Sequence, residues 1–355
     1  MGECNTARFD ASALTGLAAA CFEHGGLPAS DARMVADTLI TANLRGLDTH
    51  GVVRILAYLK RLGTGRINAT PDIKVSSPMP FSTVVDADNA MGPVGAWAAM
   101  KACEAAAERV GIGAATVRHS NHFGAASIYT VPAAAKGCIA IAMSPASRSL
   151  APHGSRAPLL GTNPFAVAAP AGRHPAWSLD IAASVAARGH VRLAAQEGKP
   201  IPLGWALDAE GHQTTDPQAA LSGTMLPFSG AKGSGLAMMV DIMGGVLSGA
   251  GFAGDIHDWT LDSGSAPSGV GHFFLVMKIE AFMPLGEFEQ RMDTAIARLK
   301  ALPEAEGFSE VMYPGERSGQ CAINRRRDGI PLSGAVVTSL KDLATSFGIG
   351  FPDPL

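Results

Sequence analysis

Charge is scarce and balanced in this chain. Of its 355 residues only 17% are Asp, Glu, Lys or Arg, and the formal net charge is -3. A nucleic-acid partner would call for a strongly basic face, so small neutral partners or small anions fit this balance better. With 47% hydrophobic residues, low charge also excludes a disordered chain. Cysteine is equally sparse: Cys4, Cys21, Cys103, Cys138 and Cys321 are odd in number, widely spread and include no Cys-x-x-Cys pair. That spacing excludes a disulfide framework and a zinc knuckle, and points to a reducing cytoplasm.

Long apolar runs are missing too. The first residues carry Glu3 and Asp10 and no apolar segment of the kind a secretory signal needs. Residues 1–6 match the myristoylation pattern, but a single acyl chain without a second membrane contact anchors poorly. The most apolar stretch, 235–254, contains Asp241 and many glycines, and its large residues recur with helical spacing. It reads as a packed core helix and not as a membrane span.

What is present reads as two packed units with a large core. Met34, Val35 and Leu39 share one face of a helix that Ser30 is placed to cap and that runs out near Gly46. Val52, Val53, Ile55, Leu56, Leu59 and Leu62 then repeat with helical spacing up to Gly63, with Asp48 at the N-cap position, which puts His50 in a first helical turn. Pro, Gly and β-branched residues over 65–95 predict short strands and turns, and an alanine-rich helix over 98–110 stops at Gly111. Apolar runs at 114–117, 139–143, 165–169 and 177–181 predict a sheet. Leu236, Met239, Val240, Met243, Leu247 and Ala250 mark one long buried helix, 273–279 a further strand, and 286–302 an amphipathic helix before a loop-rich tail. These changes of texture predict an α/β (α+β) chain in which a sheet domain, 114–285, is inserted into a more helical one made of 1–113 plus 286–355.

The nucleotide motif Gly-x-Gly-x-x-Gly occurs once, at 249–254, but it follows a helix and precedes none, the reverse of a Rossmann site. His50 and Arg54 are more informative. Four residues apart on one predicted helix, they leave the same face. A guanidinium can hold a carboxylate bidentately while the imidazole gives or takes a proton, with Thr49 and Asp48 placed to orient the ring. His119 and His122 share a His-x-x-His spacing in a loop after a strand; without further ligands they suit contacts to substrate or a nicotinamide amide better than a metal. Thr162, in Gly161-Thr162-Asn163-Pro164, and Asp180, at a strand end, would each be unremarkable alone.

In order along the chain, Arg45-Gly46-Leu47-Asp48-Thr49-His50-Gly51, Ser120-Asn121-His122, Gly161-Thr162-Asn163-Pro164, Leu179-Asp180-Ile181-Ala182, Thr214-Thr215-Asp216-Pro217, Lys232-Gly233 and Tyr313-Pro314-Gly315 resemble the malate/L-lactate dehydrogenase family that lacks a Rossmann fold. The resemblance implies a non-Rossmann, largely antiparallel NAD- or NADP-binding sheet domain and a homodimer or larger assembly. It implies hydride transfer at the carbon α to a carboxylate, in a 2-oxo acid or a cyclic 2-imino acid or, in reverse, a 2-hydroxy acid. By the same resemblance His50, His122 and Asp180 are catalytic, and Thr49, Arg54, Thr162 and His190 meet substrate. Ser120, Ser178, Asp180, Ile181, Ala182, Ala231, Lys232, Gly315, Glu316 and Arg317 would contact the cofactor. No metal is implied. Three positions depart from the pattern: Thr49 stands for a usual Ser, Ala231 for a His or aromatic, and Ala146 for a serine, which makes the pocket roomier and less polar. The runs 226–234, 238–240 and 152–156 resemble most the Δ1-piperideine-2-carboxylate/Δ1-pyrroline-2-carboxylate reductase branch. The competing expectation from another class is an inactive relative that senses a small carboxylate or nucleotide.

Overall fold

The computed structural model describes residues 6–258 and 266–355; Cys4 and most of the myristoylation match lie outside them. Strand β1 (Thr6–Phe9) leads into helices α1 (Ala11–His24), α2 (Ala29–Leu44) and α3 (Ile55–Gly63). There follow β2 (Lys74–Met79), β3 (Ser82–Asp86), α4 (Gly92–Val110), β4 (Ile112–Ser120), α5 (Ser127–Ala134), β5 (Cys138–Met143), β6 (Phe165–Ala169) and β7 (Trp177–Ile181). Next come α6 (Arg188–Glu197), β8 (Ala206–Leu207), α7 (Pro217–Ser222), β9 (Thr224–Met225) and α8 (Ala231–Asp241), which runs on through a π-helical turn at Ile242–Val246. The chain closes with β10 (Val270–Lys278), α9 (Leu285–Lys300), α10 (Glu316–Asp328), β11 (Ile330–Ser333) and α11 (Gly334–Ser346).

All four predicted strand runs enter one seven-stranded sheet of order β2-β3-β4-β10-β5-β6-β7. Its neighbours pair antiparallel except β3 with β4, so it is largely antiparallel, as expected. Period-two alternation drives this: along β4, Gly113, Ala115 and Val117 are buried while their neighbours are less so. α4, stopped by Gly111 in the left-handed region (φ 84°), packs against β4 and β10. One large core joins α1 to α4 with Phe274 and Val276 of β10, and a smaller one gathers Leu150, Leu160, Val191, Met225 and Ala237. Because β3 pairs with β4 and β2 with β3, the sheet takes strands from both sides of residue 113.

Four expectations need correcting. Ser30 lies inside α2, whose N-cap position is Pro28, and its hydroxyl donates to Asp31. The helix after Asp48 begins only at Ile55, preceded by two single 3-10 turns at Asp48–His50 and Val52–Arg54. The helix over 236–250 is not buried: Ala237, Val240 and Gly244 face inward, while Met238, Ile242, Val246 and Leu247 are 51–59% exposed. No described helix is long and apolar enough to cross a membrane. The tail is not loop-rich, since it contains α10, β11 and α11. Its pattern was hidden because α10 is polar and buries only Ala322, and β11 exists by pairing with β1 at the far end of the chain.

Candidate active site

The residues expected to meet substrate or reacting atoms converge. Thr49, His50, Arg54, His122, Thr162, Asp180 and His190 all line one cavity of about 360 Å³, within the range of small-ligand sites. An open groove of about 700 Å³ beside α9, lined by Gly172, Arg173 and Asp293, shares none of these residues.

His50 enters from its 3-10 turn, so it and Arg54 do not share one α-helical face. They are joined otherwise: Arg54 Nε donates to the Thr49 carbonyl at 2.6 Å, and Thr49 Oγ1 lies 3.1 Å from His50 Nδ1. The turn is compact because Gly51 sits against the Asn43 side chain, where a Cβ would overlap the amide. His122 follows β4 and places its ring nearly parallel to that of His50, with centroids 5.8 Å apart. Its Nδ1 is 2.6 Å from the hydroxyl of Tyr58, a buried residue of α3. Tyr58 was missed from sequence, although its position four residues after Arg54 is a usable signal.

Burial, and after it the Arg54 charge, pushes the His50 imidazole down from 6.5 to about 4. His122 is held well below its ordinary range by burial first, then by Arg54, His50 and His272. Two neutral imidazoles thus face one guanidinium. Asp180, at the end of β7, is raised by burial, against the lowering effect of its bond from Ser127 N (2.9 Å) and of the Arg45 charge. It anchors the start of α5 while lining the cavity with Ile181 and Ala182.

The other expected cofactor contacts lie elsewhere. Ser120 is fully buried; its Oγ meets His272 Nε2 at 2.8 Å, and His272 Nδ1 meets Ser144 Oγ at 2.9 Å, so Ser120 buttresses Ser144, which does line the cavity. Ser178 is buried with its Oγ unpartnered, and its backbone N donates to Pro314 O at 2.9 Å. Gly315 has φ 91°, and a Cβ there would stand 2.7 Å from Ser178 N, so this glycine is explained by a close approach to β7. Glu316 accepts from Lys300 at 2.7 Å, and Arg317, Ala231 and Lys232 are exposed and outside the cavity lining. His119, at φ 50°, is exposed and outside the cavity lining, and its Nδ1 lies 2.9 Å from Asp86 Oδ1. Arg188 and Arg192 of α6, also unforeseen, bring two further guanidiniums to the cavity wall.

The model of the malate/L-lactate dehydrogenase family matches residues 9–341. A malate dehydrogenase of Pyrococcus horikoshii is 36% identical over 91% of each chain. A (2R)-3-sulfolactate dehydrogenase (NADP(+)) of Chromohalobacter salexigens is 37% identical over 93% of this chain and 96% of its own. The crystal structure of Δ1-piperideine-2-carboxylate reductase from Pseudomonas syringae superposes with a TM-score of 0.86, at 29% identity over 95% of this chain and 99% of that one. The chain therefore belongs to the malate/L-lactate dehydrogenase family.

Proposed function

We propose that this protein is an NAD(P)-dependent oxidoreductase acting at the carbon α to a carboxylate, interconverting a 2-hydroxy acid and its 2-oxo acid. The observation that carries this reading is a neutral His50 tied through Thr49 to Arg54 within one cavity. The residues present fit a nicotinamide dinucleotide in kind. His122, Ser144, Thr162 and Asp180 offer donors and acceptors to a carboxamide, and an adjoining hollow of about 640 Å³ sets Arg148, Arg188 and His257, donors of the kind phosphates take, beside the carboxylates of Asp255 and Asp258. When bound, the nicotinamide supplies or accepts the hydride. Ile181 and Ala182 would border it with Asp180, and the sheet segment 114–285 would form its domain.

Arg54 holds the substrate carboxylate by its guanidinium, and Thr162 and His190 border the remainder. Neutral His50 takes the hydroxyl proton as the alcohol is oxidised. For reduction it must first be protonated. A carboxylate seated on Arg54 offsets one of the two influences that hold the ring neutral, so substrate binding itself prepares the acid.

A second reading is a cyclic 2-imino acid as substrate, favoured by Ala146 on the cavity wall, which leaves apolar room for a ring. An imine nitrogen that arrives protonated leaves His50 only to position it. Reduced and oxidised NAD and NADP, each with malate, oxaloacetate, pyruvate, sulfolactate and Δ1-piperideine-2-carboxylate, separate these readings. Ligand-induced stabilisation without turnover across the whole panel would instead favour a sensor. The exposed apolar strip of α8 and its π turn supports assembly as a homodimer, and the buried, unpaired Cys21, Cys103 and Cys138 suit a reducing cytoplasm.

A further inference from the structure

The turn that carries His50 is held from a distance. Asn43, near the end of α2 and 1% exposed, donates from Nδ2 to Asp48 Oδ1 at 2.7 Å and accepts from Val52 N at 2.8 Å, so one amide spans both sides of His50. Arg325 of α10 completes the assembly. Its Nη1 and Nη2 donate to the two Asp48 oxygens at 2.6 and 3.0 Å, and Nη1 donates also to the Asn43 carbonyl. Neither Asp48 nor Arg325 lines the cavity. From the same helix, Ser318 Oγ accepts from Arg45 Nη2 at 2.9 Å, and the Arg45 charge acts on Asp180.

We propose that Arg325 is a positioning residue: by clamping Asp48 it fixes the direction in which His50 enters the cavity, so that α10 serves the reaction without touching it. A single 3-10 turn cannot set that direction alone. Its backbone bonds, His50 N to Leu47 O at 2.8 Å and Gly51 N to Asp48 O at 3.1 Å, close the turn on itself; Leu47 N to Ala42 O at 2.8 Å and the Asn43 amide tether it to α2, and they leave the Asp48 carboxylate free to turn about its bond to Asn43. The planar guanidinium meets both carboxylate oxygens and one carbonyl, which removes that freedom. The Asp48 side chain is 47% exposed and that of Arg325 15%, so water screens the pair on the carboxylate side and its share of stability is modest. Misplacement of a reacting group by about 1 Å, by contrast, lowers a rate by up to roughly 10²-fold.

The proposal rests on His50 as the proton-transfer group, and its test keeps the two apart. Arg325→Gln and Arg325→Lys are made in the full chain. Readouts are kcat and KM for 2-hydroxy acid oxidation, the melting temperature, and the His50 ring titration by NMR without substrate. In Arg325→Gln, kcat falls roughly 10- to 100-fold while KM for the cofactor stays within about twofold and melting shifts by a few degrees at most. The His50 titration moves up from about 4 toward 6.5 as the ring swings to water. Arg325→Lys, which keeps the charge and loses the fork, recovers part of both. An unchanged kcat together with an unchanged His50 titration overturns the proposal, as does a large fall in melting temperature with neither of them moved. Should Arg325→Gln fail to fold, Asp48→Asn breaks the same clamp and is read the same way. A parent protein that turns over no substrate would defeat the functional reading, while the NMR titration would still decide the clamp.

Discussion

If His50 is the base in alcohol oxidation, the pH profile must carry its displaced titration. Lowering the imidazole from 6.5 to about 4 corresponds to roughly 3 kcal/mol in favour of the neutral ring, supplied first by burial and then by Arg54. At pH 7 only about one ring in a thousand is then protonated in the free enzyme. Oxidation needs the neutral ring, so its kcat/KM should stay flat from pH 8 down to pH 5 and fall about tenfold per unit below pH 4. Reduction needs the protonated ring, and its kcat/KM should decline with rising pH throughout that range. The profile of kcat alone reports the bound complex, where the substrate carboxylate answers the Arg54 charge, and its inflection should lie higher. The assay is initial-rate absorbance of the reduced nicotinamide in buffers of constant ionic strength, with His50→Gln beside the parent. In the variant, kcat should drop roughly 10²- to 10⁴-fold and the His50 inflection should vanish. An oxidation kcat/KM that breaks near pH 6.5 in the parent, or the same break surviving in His50→Gln, would refute the assignment.

Arg54→Lys should raise KM for the carboxylate substrate more than it lowers kcat, because the bidentate fork is lost and the charge kept; steady-state kinetics at fixed cofactor show the split. His50 and His272 are depressed to about 4 and about 3, and His122 is depressed with them, so between pH 6.5 and pH 3 the unfolded chain binds protons that the native one refuses. Stability is therefore fully present above pH 6.5 and lost as pH falls through this window, by several kcal/mol in total. Urea midpoints taken from pH 7 to pH 4 should fall, and a level series would contradict the burial of these rings. Gly51→Ala should destabilise by about 1–3 kcal/mol, because the new methyl displaces the Asn43 amide and leaves Val52 N unpaired. Thermal melting measures that loss, and kcat should fall further than stability alone explains.

The strands of the sheet were legible because a short apolar run bounded by Gly and Pro is a local property, and 114–117, 139–143, 165–169 and 177–181 each carry it. β1, β11 and α10 were not, because they are stabilised by partners at the opposite end of the chain: Phe9 meets Ile330, and Arg325 meets Asp48. The site was legible in its members and not in its geometry. Apolar residues spaced three apart, as in the first part of 48–62, suit an α-helix and a pair of 3-10 turns alike, since both bring such residues to one side. What selects the turns is Asn43, whose amide bonds on both sides of His50 and needs the space at Gly51. The same logic sorts the short motifs. Asn163 bridges Ala146 N and Ala237 O, Asp216 caps α7, and Pro314 receives Ser178 N, so each is accounted for by the backbone it holds. From those motifs Leu47, Thr49, His50, His122, Thr162, Pro164 and Asp180–Ala182 reach the cavity, joined there by Arg54. A motif read from sequence identifies where the chain is constrained; whether the constraint serves a ligand or a neighbouring strand depends on which atoms remain open to the cavity, and the Ser178 and Ser120 hydroxyls do not.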